Sequence, residues 1–384
     1  MQEDFHYYAT YAAAFLAGYT HAEALDICYS AQFTDHCTRT FLTKVRGPKA
    51  AATTQTQMEL MEANTDIVGL QDITRIWASF HFLPRDLYAV KKHCSKRYRS
   101  KYRLICGPNG ELVKDTVMLA RNMSLQSVGL AMHILADTWA HQYFAGTPSL
   151  VINNTNSYFY EIFEDGHEEK VVFRHSATSP DDIEAGKYTA SIYVDMENTI
   201  MNLGHGRAGH FPDYSFIKYK YLPAWGGYEE VVKDNPSDYY KAFAQMVYAM
   251  KYFRGDYESF ELDTYAYDVI EPYRERIEAI LRKRQADSCA DWNEFIKELS
   301  GQAIEPFDIC KYQEEYMAAD KENRQSTFLG AFFLSAMAQK SMVTNKIYKS
   351  GNRLAGFSVD YKRAGFRGIR DFRGLVKYLS GGDR

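Results

Sequence analysis

Residues 131–141 read Ala131-Met132-His133-Ile134-Leu135-Ala136-Asp137-Thr138-Trp139-Ala140-His141. The polar pattern is H-x3-D-x3-H, and a four-residue step advances about 40° around a helix. His133, Asp137 and His141 therefore project within an arc of about 80°, where residues four apart meet. Met132, Ile134, Leu135, Ala136, Trp139 and Ala140 surround them with apolar surface on every side, which predicts a buried helix. An aspartate buried between two histidines is costly unless it is paired or bound to a metal. One reading is a metal-binding face: His133 and Asp137 hold one cation, Asp137 and His141 another, and Asp137 bridges with its two oxygens. The plainer alternative is a hydrogen-bonded core triad.

Working outward, the pattern predicts one long helix from Leu112 to Phe144, closed by Gly146 and Pro148. Upstream, residues 7–17 read as a helix stopped by Gly18. Thr20-x-x-Glu23 is a capping box that opens a second helix, running to Gln32 and ending near Asp35-His36. Residues 66–83 are apolar and compatible with helix or buried strand, and Pro84 ends them. Downstream, 151–190 is mixed, with turn formers at Asp165-Gly166 and a strand-like Val171-Val172-Phe173. Helices are predicted at 191–203, 237–254, 256–283, 290–300 and 312–349, with a short amphipathic helix near 370–379. Ten prolines in 384 residues fit long helices. The expected architecture is mainly α: one compact multi-helix domain over 1–384, with a short mixed insertion around 151–190 and the site built from residues 4–213.

Composition removes several classes. Hydrophobic residues at 46% and a net charge of -4 exclude a globally disordered chain and a strongly basic nucleic-acid groove. No apolar run is long enough to suggest a transmembrane helix. The N-terminus, Met1-Gln2-Glu3-Asp4-Phe5-His6, lacks the basic and apolar regions of a secretory signal, so a cytoplasmic location is expected. Six cysteines without a C-x2-C pair read as reduced thiols. No P-loop or dinucleotide fingerprint occurs. The Glu-x-x-His repeats of a diiron bundle are missing as well.

Other candidate ligands are Asp4 and His6, then Gln32, Asp35 and His36 where the second helix ends. His81 lies in the apolar Phe80-His81-Phe82-Leu83-Pro84, and His205 and His210 in Gly204-His205-Gly206-Arg207-Ala208-Gly209-His210-Phe211-Pro212-Asp213. Glycines beside the last two histidines permit close backbone approach. Arg207 is suited to clamp a phosphate. Imidazole plus carboxylate without thiolate suits zinc, manganese or iron. The basic run 91–103 reads as a solvated face or a phosphate-attracting rim, and the basic C-terminal tail as a solvated face or a contact for an acidic partner or nucleic acid.

The opening through Asp35-His36, the Phe-His-Phe-Leu-Pro element, the H-x3-D-x3-H helix and the 204–213 loop together resemble a family of mostly bacterial proteins of this length, with no known activity. More distantly the pattern is similar to the helical zinc-dependent phospholipase C and single-strand nuclease superfamily. That resemblance implies two or three zinc ions or related cations and hydrolysis of a small phosphoester substrate. It implies Asp35 and His81 as ligands of paired metals, Asp137 as the bridging carboxylate beside His133, and His141 as the next ligand. It further implies His6 at a third metal and His205 and His210 as late ligands. Asp35, Asp137 and Arg207 carry the expected catalytic roles. The chain departs from the superfamily at Ala136, where a glycine is usual, and in the four-residue step to His141, which is usually about six. It also lacks the late H-x3-E, although Asp213 lies near. Secreted members ligate zinc through a processed N-terminal amine, whereas Met1 follows no leader pattern here. A hydrolase of an amide or carboxylic ester and a metal-binding protein without catalysis remain as alternatives.

Overall fold

The computed structural model describes residues 1–63, 65–121, 123–174, 180–190 and 204–356. The helices predicted at 191–203 and near 370–379 lie outside these residues.

The chain opens with a π-helical turn, Asp4–Ala9, that runs into α1 (Thr10–Leu16). Gly18, at φ +92°, stops it. The capping box then forms as the sequence indicates: Glu23 accepts from the Thr20 amide at 2.8 Å and donates its own amide to Thr20 Oγ1, starting α2 (His21–Phe33). Short helices α3 (Arg39–Lys44) and α4 (Gln57–Ala63) follow. The ambiguous apolar stretch is helix, α5 (Ile67–Phe80), capped by Asp66. Next come α6 (Lys96–Tyr102), α7 (Glu111–Ala120) and α8 (Leu125–Ala140).

The helix expected over Leu112–Phe144 is thus two helices. Ser124 occupies the N-cap position of α8, and the chain changes direction between Ala120 and Leu125. Every residue of α8 from Gln126 to Ala140 is buried, because an all-round apolar helix needs partners on every side. Its partners are α2, α10, α15, α7 and α5. Gly129 sets the closest of these approaches. A Cβ there would lie 2.1 Å from the Ile27 carbonyl oxygen and 2.6 Å from Ser30 Cβ, so only glycine lets α8 pack this tightly on α2.

After α9 (Leu150–Asn153) comes a four-stranded antiparallel sheet of β1 (Phe159–Ile162), β2 (Glu168–Lys170), β3 (Lys218–Tyr221) and β4 (Val231–Asp234), in the order β2-β1-β3-β4. Tyr160 pairs with both Lys170 and Lys220. The insertion is therefore larger than 151–190 and includes two strands beyond it. Val171-Val172-Phe173 is not a strand; the turn at Asp165-Gly166 places the pairing on 168–170 instead, with Gly166 at φ +85°. Phe159, Tyr219 and Tyr221 join Phe82, Phe144 and Phe211 in a second apolar cluster that backs the 204–214 loop.

The remaining helices are α10 (Asn235–Arg254), α11 (Tyr267–Ile270), α12 (Arg274–Arg282), α13 (Cys289–Ser300), α14 (Gln313–Ala318) and α15 (Phe328–Lys349). Two predicted helices are shorter than expected. Gly255 at φ +92° ends α10, and 256–266 is not helical. Thr327 caps α15 through the Gly330 amide, which separates it from α14. The result is a mainly α, multi-helix structure carrying one small sheet.

Candidate metal centre

Three chain segments far apart in sequence meet at α8. The π-helical turn delivers His6, the end of α2 delivers Asp35, and the end of α5 delivers His81. The wider i→i+5 spacing of a π turn is common where a side chain must be re-aimed. All six residues of Asp4–Ala9 are buried.

Asp137 lies at the centre, 1% exposed. Its Oδ2 faces His81 Nδ1 at 3.2 Å and His133 Nε2 at 3.2 Å. These two nitrogens are 3.3 Å apart, and Asp35 Oδ1 lies 3.7 and 3.8 Å from them. The edge of a tetrahedron around a zinc-like ion with 2.0–2.2 Å bonds is about 3.3–3.6 Å. The contacts among His81, His133 and Asp137 come close to that spacing, and Asp35 Oδ1 stands just beyond it. On the other side, Asp137 Oδ1 faces His6 Nε2 at 3.1 Å and the Met1 α-amine at 3.1 Å. The amine also lies 3.0 Å from Asp213 Oδ1 and 3.3 Å from His141 Nε2, and His141 Nε2 is 3.3 Å from Asp213 Oδ1. Three N–H donors thus meet three acceptors, with the ammonium occupying a cation's place.

Backbone carbonyls fix two of the imidazoles. His81 Nε2 donates to the Thr53 carbonyl at 3.1 Å, and His141 Nδ1 donates to the His81 carbonyl at 2.7 Å. Each ring therefore turns its other nitrogen toward the carboxylates. Such outer hydrogen bonds orient metal-binding histidines. Rings complete the packing: His6 stacks on His133 at 3.8 Å, and His141 stacks on Phe82 at 4.8 Å.

The charges are strongly perturbed. Burial opposes the Asp137 charge, but His141, the α-ammonium, His133 and His6 outweigh it and hold the carboxyl well below the usual range. Asp35 is also lowered, burial being outweighed by His133, His6 and His81. The Met1 ammonium is raised to about 11, because Asp137, Asp213 and Asp35 overcome its burial. Burial, helped by His133, lowers His6 to about 4. His81 is raised, as its hydrogen bond to Asp137 and the two carboxylate charges exceed the cost of burial. Three carboxylates face one ammonium here, and buried charge of one sign needs compensation. Divalent cations held by these donors would supply it. Two overlapping groups, His6-His133-Asp137 and Asp35-His81-His133, have ligand atoms close enough to hold a metal ion.

The chain belongs to DUF6765, a family of unknown function whose model matches residues 1–347. No curated protein and no solved structure matches it. The DUF6765 match takes in every donor described above and ends within α15.

Of the residues singled out in the sequence, the structure brings together His6, Asp35, His81, His133, Asp137 and His141. His210 lies apart from these donors: its half-exposed ring pairs through Nδ1 with Asp181 Oδ2 at 3.2 Å. Arg207 is 3% exposed and its Nη1 donates to Asn154 Oδ1 at 2.8 Å, tying the 204–208 turn to the segment after α9. The His205 side chain lies outside the described residues. His36 stacks on Phe307, and the Asp4 carboxylate accepts from the Phe5 and Ser288 amides. Trp139 is buried and donates to Gln245 Oε1 at 2.9 Å. A groove of about 920 Å³ beside Arg85, Asn109 and Lys346 contains none of the donors. Two participants went unassigned in the sequence. Asp213 closes the glycine-rich loop, held by Asn235 and Tyr239, which bond the carbonyls of Phe211, Tyr214 and Pro212. Met1 carried a signal only through the N-terminal amine of the enzymes the chain resembles.

Proposed function

We propose that this protein is a metal-dependent hydrolase of a phosphoester, working through two or three divalent cations, zinc or a first-row relative, in one centre. The observation that carries this reading is Asp137, whose two oxygens face two separate donor sets at 3.1–3.2 Å. Asp35, His81, His133 and Asp137 Oδ2 would hold one cation. His6, His141, Asp213, the α-amine and Asp137 Oδ1 would hold the other. Cations so placed supply an acidified water and positive charge for a phosphoryl oxygen.

The protein's own groups do the rest. Asp35 is the donor most open to solvent, at 30% side-chain exposure, so substrate and water would enter past it. Its carboxylate, ionised at neutral pH, would hold and orient a water as well as ligate. His81 and His141 are locked by the carbonyls they bond, which keeps their donor nitrogens pointed inward. Arg207, tied to Asn154, would act by shaping the loop that presents Asp213 rather than by touching phosphate. The likeness to the phospholipase C and single-strand nuclease superfamily supports the same chemistry.

Elemental analysis of the purified protein, paired with hydrolysis of bis(p-nitrophenyl) phosphate and of short-chain phospholipids, tests the proposal. The expected result is two or three equivalents of metal and chelator-sensitive turnover. Metal without turnover on any phosphoester would leave a metal-binding protein. No metal uptake would leave a core hydrogen-bond network.

A further inference from the structure

Among the described residues, the centre is flanked by buried polar atoms that have no partner in the protein. Beside His6 Nδ1, His133 Nδ1 and Ser79 Oγ, they include Gln32 Oε1, Trp77 Nε1 and both amide atoms of Gln55. Gln32 and Gln55 are 4% and 8% exposed. A buried polar atom left unpaired costs about 1–3 kcal/mol, so a set of four requires a reason. Gln32, Trp77 and Gln55 each stand within two to four residues, along the chain, of a residue at or bonded to the end of the centre where Asp35 meets His81. Gln32 stands one turn before Asp35 at the end of α2. Trp77 stands one turn before His81 on α5, its ring 5.9 Å from the imidazole. Gln55 follows Thr53, whose carbonyl accepts from His81 and whose amide and hydroxyl are bonded to the Cys37 and Thr34 carbonyls on either side of Asp35. Asp35 is the centre's most exposed donor, at 30% of its side chain.

We propose that Gln32, Trp77 and Gln55 form a recognition subsite for a neutral group, one that both donates and accepts hydrogen bonds, carried next to the phosphoryl group of the substrate. The inference rests on the phosphoester reading above. Its chemistry follows from the donor inventory: Gln55 offers two N–H and one C=O, Trp77 one N–H, and Gln32 one C=O. A hydroxyl, amide or imide satisfies such a set. A quaternary ammonium does not, because it can neither donate nor accept. Gln55 is a specificity residue in this scheme; it does no chemistry.

The test is calorimetric titration of the metal-loaded protein with four ligands: inorganic phosphate, phosphocholine, thymidine 5'-monophosphate and inositol 1-phosphate. The last two carry donors and acceptors on an imide or on hydroxyls, and they separate a nucleotide-type from a polyol-type substrate. At least one of them should bind tenfold or more tighter than phosphocholine. Gln55→Leu should remove that advantage, leave phosphate affinity within twofold, and leave the melting temperature unchanged or raised. Trp77→Phe, which deletes only the indole N–H, is the second variant should Gln55→Leu fail to fold, and it should reduce the same preference. The proposal is overturned if the wild type shows no preference, or if the variants weaken phosphate and the preferred ligand equally. It is also overturned if they lower stability while the preference persists. Ligand preference that disappears in Gln55→Leu, without hydrolysis of any phosphoester, would sink the hydrolase reading and leave the subsite standing.

Discussion

Replacing Asp137 with Asn keeps the shape of the side chain and removes one proton acceptor and the charge. In the metal-free protein, an amide N–H₂ would then face either the Met1 ammonium or the His81–His133 pair, so one set of contacts turns from attraction to repulsion. Breaking a buried ionic pair on one side costs about 3–5 kcal/mol. At about 2.1 cal/mol/K of unfolding entropy per residue, 384 residues give about 0.8 kcal/mol/K, so each kcal/mol moves the melting temperature by about 1.2 °C. The metal-free variant should melt about 4–6 °C below the metal-free wild type. Metal sharpens the comparison. A ligand at 100 times its dissociation constant stabilises by about 2.7 kcal/mol, so two filled positions raise the wild type by about 7 °C and a chelator reverses the gain. In Asp137→Asn, which spoils both positions at once, the chelator-sensitive shift should fall below about 2 °C. Scanning calorimetry with and without EDTA, at matched zinc, reads both numbers. A chelator-sensitive shift in Asp137→Asn equal to that of the wild type would refute the bridging geometry.

Three further outcomes follow from the same contacts. Adding one residue before Met1, or acetylating its amine, removes the ammonium between Asp137 and Asp213; metal content by elemental analysis should drop by one equivalent, and an unchanged count would exclude the amine as a donor. Gly129→Ala places a Cβ 2.1 Å from the Ile27 carbonyl oxygen, which forces α8 off α2; we expect a loss of about 1–3 kcal/mol by denaturant titration, together with weaker zinc binding, because Asp35 directly follows α2 and His133 stands on α8. Asp181, whose burial is outweighed by hydrogen bonds from His210, Thr189 and Tyr214, has its carboxyl lowered to about 2. A lowered carboxyl stabilises above its unfolded value and loses that contribution as pH falls through the folded one, so Asp181→Asn should cost about 2 kcal/mol at neutral pH, with the gap to the wild type closing between pH 4 and pH 2. A gap that widens on acidification would contradict the assignment.

Local signals made much of the helical framework legible. The Thr20–Glu23 box, Gly18 and the apolar wrapping of α8 each act within a few residues, and each appears where the sequence puts it. The misreadings share one cause: a periodic pattern does not show where a helix is interrupted. The Thr327 cap and the left-handed turn at Gly255 mark two of the breaks, at 319–327 and 256–266, and α8 starts after Ser124 without a side-chain cap, signals weaker than the periodicity on either side. The strands at 218–221 and 231–234 were hidden for another reason. Lys-Tyr-Lys-Tyr alternates as a half-buried strand should, but its pairing with β1 joins residues about sixty positions apart.

The centre itself divides along the same line. His133, Asp137 and His141 are one helix face, and their convergence needs only the pitch of an α-helix. Asp35 and His81 were legible as misplaced polar residues beside apolar runs, without anything to say that they face one another. The second donor set was less legible still, because two of its members carry no motif. Asp213 looks like a loop residue until Asn235 and Tyr239 pin the carbonyls around it. The Met1 amine is invisible to any pattern of side chains. What places it is the π turn over Asp4–Ala9, whose extra residue per turn carries His6 onto His133 while the chain end reaches Asp137. A regular α-helical first turn would change the position of His6 relative to Met1 by about 100° per residue of shift, and Asp137 Oδ1 would lose one of the two groups it now holds. The irregular backbone at the start of the chain is thus a condition of the second donor set, in the same way that Gly129 is a condition of the first.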